Sequence, residues 1–280
     1  MTLVTRFAPS PSGYLHLGHA HAALFAWRAA KNAGGRFLVR IEDIDQARSR
    51  PAFESALLED LAWLGLDWEQ PIVRQSERMA SYRAALEALN SQDLLYPCFC
   101  TRREIREEMA RAGQAPQGPE GPLYPGTCRR LSPAERDAKR EAGLPHALRL
   151  DSAAAQAVAG PLTWHDIGQG TIQAEPLSLG DVVLARKEFP AGYHLAVTID
   201  DAAQGVNLVT RGEDLFYTTH MHRLLQALLG LPVPEWHHHG LIRDDAGRRL
   251  AKRDRALALR ALKAAGRSPA EVRALAGFPD

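Results

Sequence analysis

Residues 3–19 read Leu3-Val4-Thr5-Arg6-Phe7-Ala8-Pro9-Ser10-Pro11-Ser12-Gly13-Tyr14-Leu15-His16-Leu17-Gly18-His19, and the fold is decided here. Residues 3–8 form a short β-prone run that Pro9 and Pro11 break, and after Gly13 and Gly18 an apolar helical pattern continues to Gly34-Gly35. Arg36 to Ile41 alternates and is rich in β-formers, so it reads as a second strand ending at Glu42-Asp43 and Asp45. Strand, loop, helix and strand make a βαβ unit, which predicts a parallel α/β fold. His16-Leu17-Gly18-His19 falls where the first strand hands over to the first helix, the edge at which open α/β sheets bind ligands. Helix N-terminal amides favour phosphate there, two imidazoles can donate to phosphoryl oxygens, and a glycine lets a flat base approach the backbone. By itself the tetrapeptide also fits two surface histidines in a loop.

Outward from this unit, Pro51 opens a helix carrying Phe53, Leu57, Leu58, Leu61 and Leu64, and Ser76 is placed to N-cap another presenting Tyr82, Leu86 and Leu89. From Tyr96 the character changes to cysteines and then a Gly/Pro-dense stretch, Gly113 to Gly126, which reads as an insertion splitting the sheet. After Ala191 the α/β pattern resumes. Leu195 to Ile199 and Gly205 to Val209 are expected as strands, and Leu215 to Leu229 as a helix. Arg243, Arg248, Arg249, Lys252, Arg253, Arg255, Arg260, Lys263 and Arg267 then make a basic tail.

The 280 residues carry 34 Lys+Arg against 33 Asp+Glu, a net charge of +1, so a nucleic-acid partner has to be gripped by a local basic patch. With 45% hydrophobic residues the chain can bury a substantial core. It has no apolar run of about 18 residues and no secretory pattern at its start, so a cytoplasmic protein without a membrane partner is expected. The 3 cysteines are clustered as Cys98-x-Cys100 and Cys128, and an odd count in such a protein suits a metal better than disulfides. Three thiolates suit Zn²⁺, whose fourth ligand has candidates in Tyr124, His146 and Glu120; generic chemistry favours the histidine. Trp236-His237-His238-His239 is read as structural and assigned no site, because adjacent residues do not easily converge on one ion.

The blocks around these residues resemble those of glutamyl-tRNA synthetases. Arg6 to His19 is similar to that family's opening signature. Val39 to Asp45, Trp63 to Trp68, Tyr96 to Cys100, Ile199-Asp200-Asp201-Ala202 and Val209 to Asp214 follow in the family's order, and the resemblance runs to about residue 255. It implies a class I synthetase Rossmann-type parallel sheet. It also implies that His16, Gly18, His19 and Lys252 bind ATP, which comes with Mg²⁺, and that His16, His19 and Lys252 act in adenylyl transfer. The attacking carboxylate comes from the substrate, so the protein's task is positioning and charge neutralisation.

A free glutamate needs a guanidinium for a carboxylate and an acid for its ammonium. By resemblance Arg6, Tyr193 and Arg211 hold the side-chain carboxylate, while Ala8, Ser10 and Glu42 surround the amino group. The lysine loop, K-M-S-K-S in general, reads Arg249-Leu250-Ala251-Lys252-Arg253: Lys252 is present, Arg249 keeps a positive charge, and Ala251 lacks the hydroxyl. The family's C-x-C…Y-x-x-x-C zinc site, matched by Cys98, Cys100, Tyr124 and Cys128, makes Tyr124 the expected fourth ligand.

Full glutamyl-tRNA synthetases continue into a helical anticodon-reading domain, whereas this chain ends at Asp280. The group that fits is the glutamyl-queuosine tRNA(Asp) synthetases, stand-alone catalytic domains that attach glutamate to queuosine in the anticodon loop. The expected layout is a first half of the catalytic domain at 1–95, a zinc-containing insertion at 96–190, a second half at 191–245, and the lysine loop with a helical tail at 246–280. The tail would hold RNA phosphates while a loop base is presented unstacked. The expected partners are ATP, L-glutamate and queuosine-carrying tRNA(Asp), with the chain a monomer. Other readings stay open: a minimal glutamyl-tRNA synthetase, another H-x-G-H nucleotidyl transferase, or a non-catalytic tRNA-binding relative.

Overall fold

A computed structural model of the protein describes residues 2–111, 117–119, 121–242 and 258–279. The opening unit forms as its pattern predicts. Strand β1 (Val4–Phe7) is buried throughout, α1 (Leu17–Asn32) follows the Gly/Pro loop, and β2 (Arg36–Ile41) pairs with β1 in parallel. The Thr5 hydroxyl donates to the Ala26 carbonyl at 2.8 Å, fastening the helix to the strand beneath it. Pro51 starts α2 (Pro51–Trp63), and β3 (Glu69–Arg74) adds to β2 in parallel. The next helix, α3 (Met79–Asn90), starts later than expected. Ser76 is not its cap: the Ser76 N–H and hydroxyl both donate to the Asp43 carboxylate, which holds the residue in a short 3₁₀ turn instead.

The middle of the chain contains β4 (Leu95–Cys98), α4 (Arg102–Arg111), the two-residue pair β5 (Gln117–Gly118) and β6 (Gly121–Pro122), α5 (Pro133–Glu141), β7 (Ala147–Leu150) and α6 (Ser152–Ala159). Then come the hairpin β8 (Thr163–Asp166) and β9 (Gly170–Gln173), and β10 (Val183–Ala185). Strands β4, β7 and β10 make a separate antiparallel sheet. The hairpin instead extends the main sheet, because β8 lies beside β12 (Glu235–His239), which pairs in parallel with β11 (Leu208–Gly212). The two halves of that main sheet meet where the Asn207 N–H donates to the Val4 carbonyl.

Leu195 to Ile199 is not a strand. It lies inside α7 (Tyr193–Ala203), where Leu195, Ala196, Val197 and Thr198 are all buried. A short helix that is covered on most sides shows no amphipathic period, and a β-branched apolar run then looks like a strand. The expected strand at Gly205 is displaced to β11, because Gly205, at φ +67°, still belongs to the turn that ends α7. Helix α8 (Thr218–Leu228) follows, and the chain closes with α9 (Leu259–Ala264) and α10 (Pro269–Leu275). Leu259, Val272 and Ala276 are fully buried in one apolar cluster with Leu17, Leu24, Leu57 and Leu61, so the tail packs on α1 and α2. No described helix is long and apolar enough to cross a membrane.

Candidate active site

The N-terminus of α1 is built by the H-x-G-H element itself. The His16 Nδ1 accepts from the Gly18 N–H at 3.2 Å, and the His16 N–H donates to the His19 Nδ1 at 3.2 Å. The two rings lie 3.8 Å apart, so two imidazoles cap one helix end. A Cβ on Gly18 would come within 3.1 Å of the His16 ring, so the glycine makes room for the cap as well as for a ligand.

This helix end opens into a cleft of about 630 Å³. Arg6, Ala8, Ser10, His16, Gly18, His19, Glu42, Tyr193 and Arg211, drawn from both halves of the sheet, all line it. Lys252 and the rest of the lysine loop lie outside the described residues, as do Arg243 to Arg255 of the basic tail and Glu120. Of the remaining tail cations, Arg260 covers the Tyr14 ring, Lys263 the Trp63 ring, and Arg267 pairs with Glu271.

Arg6 and Glu42 belong to a buried charge network. The Asp201 carboxylate receives the Arg6 Nε at 2.9 Å and Nη2 at 3.2 Å, together with the Arg40 Nη1 at 2.8 Å. Arg6 also donates to the Thr210 carbonyl, which ties β1 to β11. Arg40, wholly buried, reaches on to the Glu42 carboxylate at 3.2 Å. Burial works against ionising Asp201, but Arg6 and Arg40 outweigh it and hold its pKa low. For Glu42 burial dominates over Arg40 and Arg6, and the pKa is raised.

Sequence reasoning missed Arg40 and Asp201 as parts of the site. Arg40 sat in plain view as a cation between the apolar Val39 and Ile41. Asp201 lay within a family block whose role could not be assigned without knowing that α7 is a helix facing β1. His238 is a further contact that sequence reasoning did not assign. Along a strand successive side chains point to opposite faces, so His237 turns to Phe25 while His238 turns to Arg211 and Asp166. Its neighbour His239 lines the cleft. Within this run His238 thus braces Arg211 and His239 borders the cleft.

At the other end of α7, Arg211 is gripped from behind. Its Nε donates to the His238 Nε2 at 3.1 Å, its Nη1 to the His222 Nδ1 at 3.3 Å and the Tyr193 hydroxyl at 3.5 Å, and its Nη2 to the Thr219 hydroxyl. Burial lowers the Arg211 pKa from its ordinary value, and burial also raises that of Tyr193.

Cys98, Cys100 and Cys128 converge with their sulfurs within 4.8 Å of one another, a group that could hold a metal ion. The Tyr124 hydroxyl lies 3.4 Å from the Cys98 sulfur and 3.6 Å from that of Cys100. Tetrahedral zinc with bonds of about 2.3 Å to sulfur places its ligands under 4 Å apart, so the donor set and spacing suit that ion. His146 is half-buried, and its Nδ1 lies 3.3 Å from the Leu144 carbonyl. The hydrogen bond between Cys98 and Cys128 pushes the Cys98 thiol up to about 12 and draws the Cys128 thiol down to about 6.

Comparison with known proteins matches residues 2–275 to the family of class I tRNA synthetases (E and Q), catalytic domain. The chain belongs to this family. Among synthetases of this family, it is 55% identical to the glutamyl-Q tRNA(Asp) synthetase of Rhodobacter capsulatus, covering 99% of this chain and 100% of that one. It is 46% identical to the enzyme of the same name from Nocardia farcinica, covering 96% and 82%. A glutamate tRNA ligase from Elizabethkingia meningosepticum, solved in complex with its amino acid, superposes with a TM-score of 0.76 at 31% identity, over 91% of this chain and 52% of that synthetase.

Proposed function

We propose that this chain is a glutamyl-Q tRNA(Asp) synthetase, which activates L-glutamate with ATP and passes it to queuosine in tRNA(Asp). The observation that carries the reading is one cleft in which a helix end capped by two imidazoles adjoins Arg6, Arg211 and Glu42. Nucleotide chemistry and recognition of an acidic amino acid are therefore side by side.

In the first step the α-carboxylate of glutamate attacks the α-phosphorus of ATP and pyrophosphate leaves. His16 and His19 lie where they can donate to phosphoryl oxygens, with the α1 dipole behind them. Mg²⁺ bound with ATP would supply further neutralising charge, and Lys252 would add positive charge on the pyrophosphate side. Tyr193 and Arg211 hold the side-chain carboxylate, assisted by the remaining N–H groups of Arg6, while Glu42 faces the ammonium beside Ala8 and Ser10. In the second step a queuosine hydroxyl attacks the glutamyl carbonyl and AMP leaves. Glutamine is rejected because a buried cation would lose its counter-charge.

Cys98, Cys100, Cys128 and Tyr124 are the proposed zinc ligands. The ion's contribution is structural, pinning a Gly/Pro-rich stretch with little apolar content of its own. The reading is tested with labelled glutamate and ATP on three acceptors: queuosine-carrying tRNA(Asp), queuosine-free tRNA(Asp) and tRNA(Glu). Label on the first alone is expected. Label on tRNA(Glu) would make the chain a minimal aminoacylating enzyme, and label on none would overturn the transfer step.

A further inference from the structure

Arg6 and Arg211 enter the same cleft with opposite electrical settings. Arg6 meets the Asp201 carboxylate through two hydrogen bonds. Arg211, equally buried, has no carboxylate within ion-pair distance among the described residues. Its inward N–H groups are spent on His238, His222, Tyr193 and Thr219.

A guanidinium has no acceptor atom, so each imidazole nitrogen that faces it must present a lone pair. The tautomers follow. His238 accepts at Nε2, so its proton is on Nδ1, 2.7 Å from the Asp166 Oδ2. His222 accepts at Nδ1 and carries its proton on Nε2, 3.3 Å from the His194 Nδ1. The Thr219 hydroxyl accepts from Arg211 and can donate to the same His238 Nε2 at 3.3 Å. The contacts to Arg211 need a lone pair on each ring, so they fit neutral histidines and not imidazolium. Burial and the Arg211 charge push His238 down to about 4 and His222 well below its ordinary value, so both are neutral at working pH.

We infer that His222 and His238 are positioning residues that anchor Arg211 by neutral acceptors alone, so that its counter-ion has to be the side-chain carboxylate of the substrate. Asp166 acts one bond further out by fixing the His238 tautomer. A carboxylate in place of either histidine would hold the guanidinium equally well but would neutralise it before glutamate arrived. The inference rests on the proposed glutamate pocket and adds how that pocket stays charged and vacant.

The test compares His222→Glu with His222→Gln in glutamate-dependent ATP–pyrophosphate exchange, with thermal unfolding measured in parallel. The Glu variant is expected to raise the KM for glutamate 10- to 100-fold, the range for loss of one charge-assisted contact, with the KM for ATP within about two-fold. The Gln variant is expected to restore most of the loss. An equal loss in both, or a parallel rise in the KM for ATP, would overturn the inference. If His222→Glu does not fold, Asp166→Asn gives the same reading without altering a group that touches Arg211, and an unchanged glutamate KM would count against it. Independently, two-bond ¹H–¹⁵N spectra of the unmodified protein are expected to show His238 protonated at Nδ1 only, and an imidazolium or an Nε2 proton would overturn the assignment. If the unmodified protein shows no exchange with glutamate, the proposed function fails, and the tautomer measurement still decides the cradle.

Discussion

The backbone of His16 forms an antiparallel β-bridge with Ala258, and the Leu259 N–H donates to the Leu15 carbonyl at 2.9 Å. The segment that follows the lysine loop is thus tied to the residue that caps α1. Residues 258 and 259 are thereby fastened to the H-x-G-H element, and the tail that carries them is held by Leu259, Val272 and Ala276 in the α1 and α2 core.

Leu259→Ala is therefore expected to cost about 2–4 kcal/mol of stability, the range for emptying a buried leucine site. It should also slow exchange beyond the fraction unfolded, because the anchor of the loop loosens. Chemical denaturation alongside exchange at a temperature where the variant is folded checks both; a stable variant, or one with undiminished exchange, would contradict the coupling.

Lys252→Ala should reduce glutamate-dependent exchange by about 10²- to 10³-fold, the usual effect of removing one group that stabilises transition-state charge. The KM for glutamate should change little, since no contact with the amino acid is assigned to Lys252. Loss of glutamate affinity at unchanged turnover would move Lys252 out of the phosphate role.

Freshly purified protein should contain zinc near one equivalent by elemental analysis. Chelation or Cys100→Ser should increase proteolysis between residues 96 and 130 while leaving the fluorescence of the buried Trp164 and Trp236 nearly unchanged. Metal-free protein with an equally protected segment would remove the structural role.

Asp60 supplies a pH dependence. Burial raises its pKa to about 6, against opposing attraction from Lys263 and Arg260. The sign follows from the raised value: the contribution of Asp60 to stability is fully present below its unfolded pKa near 4 and is lost as pH rises through about 6. Asp60→Asn should thus raise the melting temperature at pH 8, by up to about 3 kcal/mol in stability, and give no such gain at pH 4. An equal gain at both pH values would assign the effect to packing.

Read along the chain, the local physics was legible wherever one element's own residues suffice. Pro9, Pro11 and Pro51, the Gly34-Gly35 stop and the alternation of Arg36 to Ile41 set their elements to within a residue or two. The spacing of the cysteines and of the H-x-G-H element marked two clusters by covalent proximity. Fold class and the parallel unit follow from that local information, whereas the list of groups lining the cleft came from the resemblance to glutamyl-tRNA synthetases. Three matters did not. The helical state of α7 depends on being covered on most sides, which erases the amphipathic signal. The Arg40, Asp201 and Arg6 network joins side chains up to 195 positions apart, and no local pattern records such a meeting. The electrical difference between Arg6 and Arg211 depends on whether a carboxylate or a neutral imidazole stands behind each guanidinium. Charge pairing acts through distance in space, so only the packing of α7, α8 and β12 against β1 and β11 decides which arginine awaits a substrate.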